Sequence, residues 1–130
     1  MTSWVILLPL LYITFRAKQF AGDFLLQTDW MAMNKGAPGL AGYTALAIHA
    51  VIHGAMTFLI MLVFAPGLWW LGLVDCVVHG TIDRTKGMVT RRYGWGPNDR
   101  WFWWSFGLDQ EAHNLTHFAY IMLVLLSVAA

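Results

Sequence analysis

The chain has 130 residues, 58% of them hydrophobic and 12% charged, with eight tryptophans and a formal net charge of +1. Together with a mean hydropathy of +0.56, this excludes an ordinary soluble domain and predicts an integral membrane protein. Nucleic acid is not an expected partner, and the single Cys76, set in an apolar run, reads as a small buried hydrophobe that cannot form an internal disulfide.

The first apolar segment covers residues 4–33, with Pro9 near its start and a polar centre, Arg16-Ala17-Lys18-Gln19. A span needs ~20 residues, so one tilted or kinked helix is expected there, with a re-entrant piece over 4–15 followed by a separate helix as the competing reading. With no basic region before it and no small-residue cleavage site after it, this segment reads as a retained helix and not a signal peptide. Residues 34–42, rich in Gly and Pro, form a loop. A second helix is expected over 43–64, ending at Ala65-Pro66-Gly67, a third over 68–88, and a fourth over 100–128 after the polar loop 91–100. The expected architecture is a single transmembrane domain over 1–130, an all-α four-helix bundle running up-down-up-down. Lys35 lies in the first loop, Arg84, Lys86, Arg91, Arg92 and Arg100 flank the third, and the second carries no charge. The positive-inside tendency then puts both termini outside. Trp4, Trp69 and Trp70 fall at the outer ends and Trp30, Trp95, Trp101, Trp103 and Trp104 at or near the inner ends, as interfacial belts do.

Each apolar segment carries a polar pair at i and i+4: Asp23 and Gln27, His49 and His53, His79 and Asp83, Asp109 and His113. Side chains four apart share a helix face. At 1.5 Å per residue all four pairs lie on the order of 10–20 Å from the cytoplasmic end of their helix, in one layer. A lone intramembrane histidine is more often an interhelical hydrogen-bond donor than a ligand. Four pairs at one depth shift that balance, because ionisable groups inside a membrane usually serve function. Imidazole and carboxylate without thiolate suit Zn, Mn or Fe, and paired ligands projecting into a bundle core are the pattern of soluble di-iron proteins. One or two divalent transition-metal ions are therefore expected. His49, His53, His79, Asp83, Asp109 and His113 are the candidate ligands, and Asp23 is a further ligand or the general base. An ion would also relieve the mutual repulsion of three buried carboxylates. Haem held by facing histidines is the weaker alternative.

A second polar layer lies deeper, where Arg16 continues the face of Asp23 and Gln27, Asp75 that of His79, and His117 that of His113. An Arg16–Asp75 ion pair is the expected structural reading, and Arg16 as a site for an anionic substrate the functional one. Lys18 lies off that face and is expected to snorkel or to touch a neighbouring subunit. Lys86, three residues after Asp83, reads as a topology signal or a headgroup contact.

Asp23-Phe24-Leu25-Leu26-Gln27-Thr28-Asp29-Trp30-Met31 followed by Lys35, then His49 and His53, then His79-Gly80-Thr81-Ile82-Asp83 with Lys86, then Asp109-Gln110-Glu111-Ala112-His113, resembles domain-of-unknown-function family 3307, small polytopic membrane proteins of bacteria and phages. The resemblance covers nearly the whole chain and implies a membrane protein without an established activity. A looser likeness is to inner-membrane proteins described as metal-dependent hydrolases, and is analogy only. Lys18-Gln19 stands where some members are expected to carry a histidine, so no ligand upstream of Asp23 follows from the family.

The leading functional expectation is a metal-dependent hydrolase acting on an amphiphilic phosphoester or acyl substrate from the cytoplasmic leaflet, with Gln27, Arg16, Asp75, Lys86, Gln110 and His117 supporting the ligands or the substrate. A non-enzymatic accessory subunit of a larger membrane complex is the alternative. An ion or metal transporter, which as a lone four-helix unit would need to form a homo-oligomer, is the third. Membrane lipids are the expected surroundings, and the bacterial cytoplasmic membrane the expected location.

Overall fold

The computed structural model describes residues 2–130, with side chains from Trp4 onward, and every regular element among them is helical. Helix α1 (Thr2–Phe20) continues into a wide π-helical turn (Ala21–Leu25). A short α2 (Asp29–Asn34), α3 (Gly39–Phe64), a 3-10 turn (Pro66–Leu68), α4 (Leu71–Tyr93) and α5 (Arg100–Ala129) follow.

The first segment is neither one helix through residue 33 nor a re-entrant piece ending near Phe15. The Leu26 N–H still reaches the Ala21 carbonyl at 2.8 Å, the five-residue step of a π turn. Thr28 then leaves the helix in extended backbone, and its hydroxyl accepts the Met31 N–H at 3.2 Å, which caps α2. Helix α3 starts at Gly39, ahead of the expected residue 43, because Pro38 already provides an extended N-cap. Helix α4 begins later than residue 68, since Pro66-Gly67-Leu68 forms the 3-10 turn, and it runs past residue 88 to Tyr93. It stops at Gly94, whose φ of 66° is left-handed. There the Gly94 N–H bonds Arg91 O at 3.2 Å and the Trp95 N–H bonds Thr90 O at 2.9 Å, the paired bonds of a Schellman stop.

Three stretches are long and apolar enough to cross a membrane: Trp4–Leu25, Gly39–Phe64 and Arg100–Ala129. Helix α4 is not among them, because it carries Asp75, His79, Asp83, Arg84 and Lys86. Those charges are distributed by face. Leu73 and Val77 point outward, while Asp75, His79 and Asp83 are buried. The same inversion holds elsewhere, with Val5, Ile13, Leu59, Val63 and Leu115 exposed and imidazoles and carboxylates inside. A surface of this kind suits lipid and not water.

Helices α3 and α4 form the tightest seam, and they run antiparallel. A Cβ at Gly54 would lie 2.7 Å from Gly72 O, and one at Gly72 would lie 2.6 Å from Phe58 Cβ. Small residues at such crossings let two backbones approach where lipid offers no competing hydrophobic drive. At the other end of α4, the Arg84 guanidinium donates to Ala37 O at 2.6 Å, which fastens the loop after α2 onto α4. The interior divides along the helix axes. Leu11, Phe15, Met61, Leu71, Ile121 and Val124 fill one half with apolar packing, and the other half is polar.

Gly72→Val is expected to force α3 and α4 apart at a cost of about 1–3 kcal/mol. Gly67→Ala, where an added Cβ meets nothing within 4 Å, should be neutral. Thermal unfolding of detergent-solubilised protein followed by circular dichroism separates the two variants.

Candidate metal centre

Four elements converge in the polar half. Helix α3 supplies His49 and His53, α4 supplies His79 and Asp83, α5 supplies Asp109 and His113, and the π turn after α1 supplies Asp23; all seven are buried. The turn admits His53 because residue 22 is glycine. A Cβ there would collide with the His53 imidazole.

Asp23 Oδ1 is the focal atom. It lies 3.0 Å from His53 Nε2, 3.2 Å from His49 Nε2 and 3.8 Å from His79 Nε2, and the His49 and His79 Nε2 atoms are 3.2 Å apart. Four donors arranged tetrahedrally at ~2.0–2.1 Å from one ion stand roughly 3.3 Å apart, so these separations are the edges of such a shell. Asp23, His49, His53 and His79 thus form one group able to hold a metal ion, and His79, Asp83 and His113 form a second that shares His79. Asp83 links the two, with Oδ2 3.1 Å from His49 Nε2 and Oδ1 3.1 Å from His113 Nε2.

The ring orientations come from packing and not from outer hydrogen bonds. His53 stacks on His79 with centroids 3.5 Å apart, and His79 on His113 at 4.0 Å, while the Nδ1 atoms of His49, His53 and His79 have no partner. Metal-ligating histidines usually anchor that second nitrogen. Here the stacked column does the anchoring.

The remaining predicted residues take varied places. Asp109 lies outside both groups, one turn before His113 on α5, with Oδ1 3.6 Å from His113 Nε2. The Gln110 amide donates to Asp23 Oδ2 at 3.2 Å and to Asp109 Oδ2 at 3.1 Å, bridging α5 to the π turn. Gln27 donates to the Asp23 carbonyl at 3.0 Å and so braces backbone, whereas Gln19 reaches the Asp23 carboxylate at 2.6 Å. Lys86 is half-buried with its ammonium 5.4 Å from the Phe106 ring centre, and it makes no ion pair among the described residues.

Two lysines do what was not expected of them. Asp75 pairs with Lys18 at 2.7 Å and not with Arg16, and it also accepts the Thr57 hydroxyl at 2.6 Å. His117 Nε2 stands 3.0 Å from the same ammonium. Lys18 is therefore buried and does not snorkel, while Arg16 is half-buried with Nη2 unpartnered. The buried stripe of α1 is Leu11, Phe15, Lys18 and Gln19, and the i, i+4 pair Leu11 and Phe15 was the signal that locates it. Lys35 bonds Asp83 Oδ2 at 2.7 Å and stands 3.3 Å from His49 Nε2, so it enters the centre as a cation. Its signal was weaker, a lone lysine in a glycine-rich loop.

Fold and site together define a helical protein with three helices able to cross a membrane and a buried histidine and aspartate centre able to hold a metal ion. The chain belongs to the family of proteins of unknown function DUF3307, which matches residues 8–130. No curated protein and no solved structure matches it.

Lys18→Met, which strands the Asp75 carboxylate, is expected to destabilise the fold by about 3–5 kcal/mol. Lys18→Met combined with Asp75→Asn should recover most of that loss, and a double-mutant cycle on detergent unfolding midpoints measures it.

Proposed function

We propose that the chain is an intramembrane metal-dependent hydrolase, acting on an amphiphilic phosphoester or acyl substrate that enters from the cytoplasmic leaflet. The observation that carries this reading is the charge of the centre. Asp23, Asp83 and Asp109 are buried together and, among the described residues, Lys35 is the one lysine or arginine paired with them, so with the imidazoles neutral, as metal ligands are, two negative charges remain. One divalent ion balances them, and ionised carboxylates in a dry interior otherwise pay several kcal/mol each in lost hydration.

The sharing of His79 between the groups favours a single ion, because one Nε2 lone pair cannot bind two. Asp23, His49, His53 and His79 are the proposed ligands. Nitrogen and oxygen donors without thiolate point to Zn, Mn or Fe. An ion held by these residues would supply a water of lowered pKa and a Lewis acid for the scissile oxygen. Since Asp23 faces three imidazoles, the role of general base passes from it to His113, which sits between Asp83 and Asp109 outside the four-donor group.

The same reading has α4 as a fourth crossing in an up-down-up-down bundle with both termini outside, in a bacterial cytoplasmic membrane. What supports it is the gathering of Lys35, Arg84, Lys86, Arg91 and Arg92 at the polar end of the molecule. A second reading has its own observation. Four protein donors close a tetrahedral zinc site, the pattern of a structural ion, which suits a non-enzymatic subunit of a larger membrane complex.

Purified protein is expected to carry about one first-row transition metal per chain by elemental analysis. His79→Ala should abolish it and His117→Ala retain it; wild-type protein without metal removes both readings. With metal present, His113→Gln should lower hydrolysis of a lipid and phosphoester panel by on the order of 100-fold while keeping the ion. A wild type that holds metal yet turns over nothing on that panel leaves the structural reading standing.

A further inference from the structure

Two cavities and one groove meet at Lys86. A vestibule of about 500 Å³ opens at the charged end, lined by Lys35, Lys86 and Arg91 together with Trp95 and Phe102. Its one carboxylate, Asp83, is already matched by Lys35 at 2.7 Å. An inner chamber of about 120 Å³ shares Lys35 and Lys86 with the vestibule and reaches Asp23, Asp109 and Gln110. On the outer face, an apolar groove of about 370 Å³ between α4 and α5 is walled by Ile82, Val89, Leu108 and Ala112, and it too ends at Lys86 and Asp109. Lys86 and Arg91 make no ion pair among the described residues, so their charge is free for a ligand, and the Phe106 ring steadies the Lys86 ammonium.

We infer that this junction seats one phospholipid, its phosphate between Lys35, Lys86 and Arg91 and its chain in the α4–α5 groove. The two unpaired charges of Lys86 and Arg91 match a phosphate better than a carboxylate, Lys35 adds a donor beside them, and Arg adds the planar donor pair that phosphate geometry favours. The position between Lys35 and Lys86 borders the inner chamber, which places the phosphate beside the metal ligands. Any group beyond the phosphate occupies the vestibule. The groove faces lipid, with Leu108 outward on α5, so a chain can enter sideways from the leaflet without leaving an apolar environment. This deepens the hydrolase reading and rests on it for what happens after binding, whereas the binding itself needs no turnover.

The test uses His113→Gln protein in detergent, with native mass spectrometry against dioctanoyl phosphatidic acid, dioctanoylglycerol and inorganic phosphate as probes. Phosphatidic acid is expected to bind at least about tenfold more tightly than dioctanoylglycerol, and Lys86→Met with Arg91→Met to erase that preference while metal content stays unchanged. Leu108→Trp, which fills the groove, should weaken the lipid and leave inorganic phosphate alone. Equal binding of the two lipids overturns the inference. So does inorganic phosphate binding as tightly as the lipid with no effect of Leu108→Trp, which would make the occupant a soluble anion. If the double variant fails to fold, raising the salt concentration on unaltered His113→Gln protein replaces it: the phosphatidic acid preference must fall with ionic strength, and a salt-independent preference rejects the seat. Lipid bound as expected, with no hydrolysis by the wild type, sinks the hydrolase reading and spares the seat.

Discussion

Asp23, Asp83 and Asp109 are held together in a compartment walled by apolar helices, and much of the molecule is arranged around the cost of keeping them there. Carboxylates removed from water attract cations, and among the described residues the one lysine or arginine paired with them is Lys35. To bring it in, the loop after α2 must lie flat on α4, which the close approach of Gly36 to Gly87 and the bond from Arg84 to Ala37 O allow. The imidazoles complete the shell, and they gather because α3, α4 and α5 each present a turn-spaced polar stripe inward.

The deeper layer handles charge differently. Lys18 and Asp75 neutralise each other at 2.7 Å, Thr57 fills a further acceptor position, and Phe15 stacks on His117 with centroids 4.9 Å apart. The one carboxylate there is matched by a lysine of the chain itself. A matched pair of this sort holds α1 against α4, while the compartment nearer the charged end keeps its imbalance. The two layers are one turn apart on α4 and α5, yet in one the carboxylate is matched by a lysine and in the other three carboxylates share one.

The helical fold class and the converging residues were legible in the sequence because both depend on local periodicity. His49 with His53 and His79 with Asp83 are spaced by four, and any helix carries such pairs on one face. What could not be read depended on phase and on loops. The π turn at Ala21–Leu25 adds one residue to a turn, so a face extrapolated from Asp23 back through α1 lands on Arg16, when the buried position is Lys18. Lys35 sits in a segment without periodicity, and only the packing of that loop on α4 brings it to Asp83. The break at Leu26–Thr28 was marked solely by a threonine that caps a six-residue helix, a cue too short to outweigh a long apolar run.

Leu11, Phe15, Met61, Leu71, Ile121 and Val124 close the half of the bundle opposite the charged end, with no polar atom among their side chains. Among the described residues, the polar compartment is closed at that end by apolar packing and opens towards the basic rim. A hydrated ion that reaches the polar compartment meets this apolar packing at its far end.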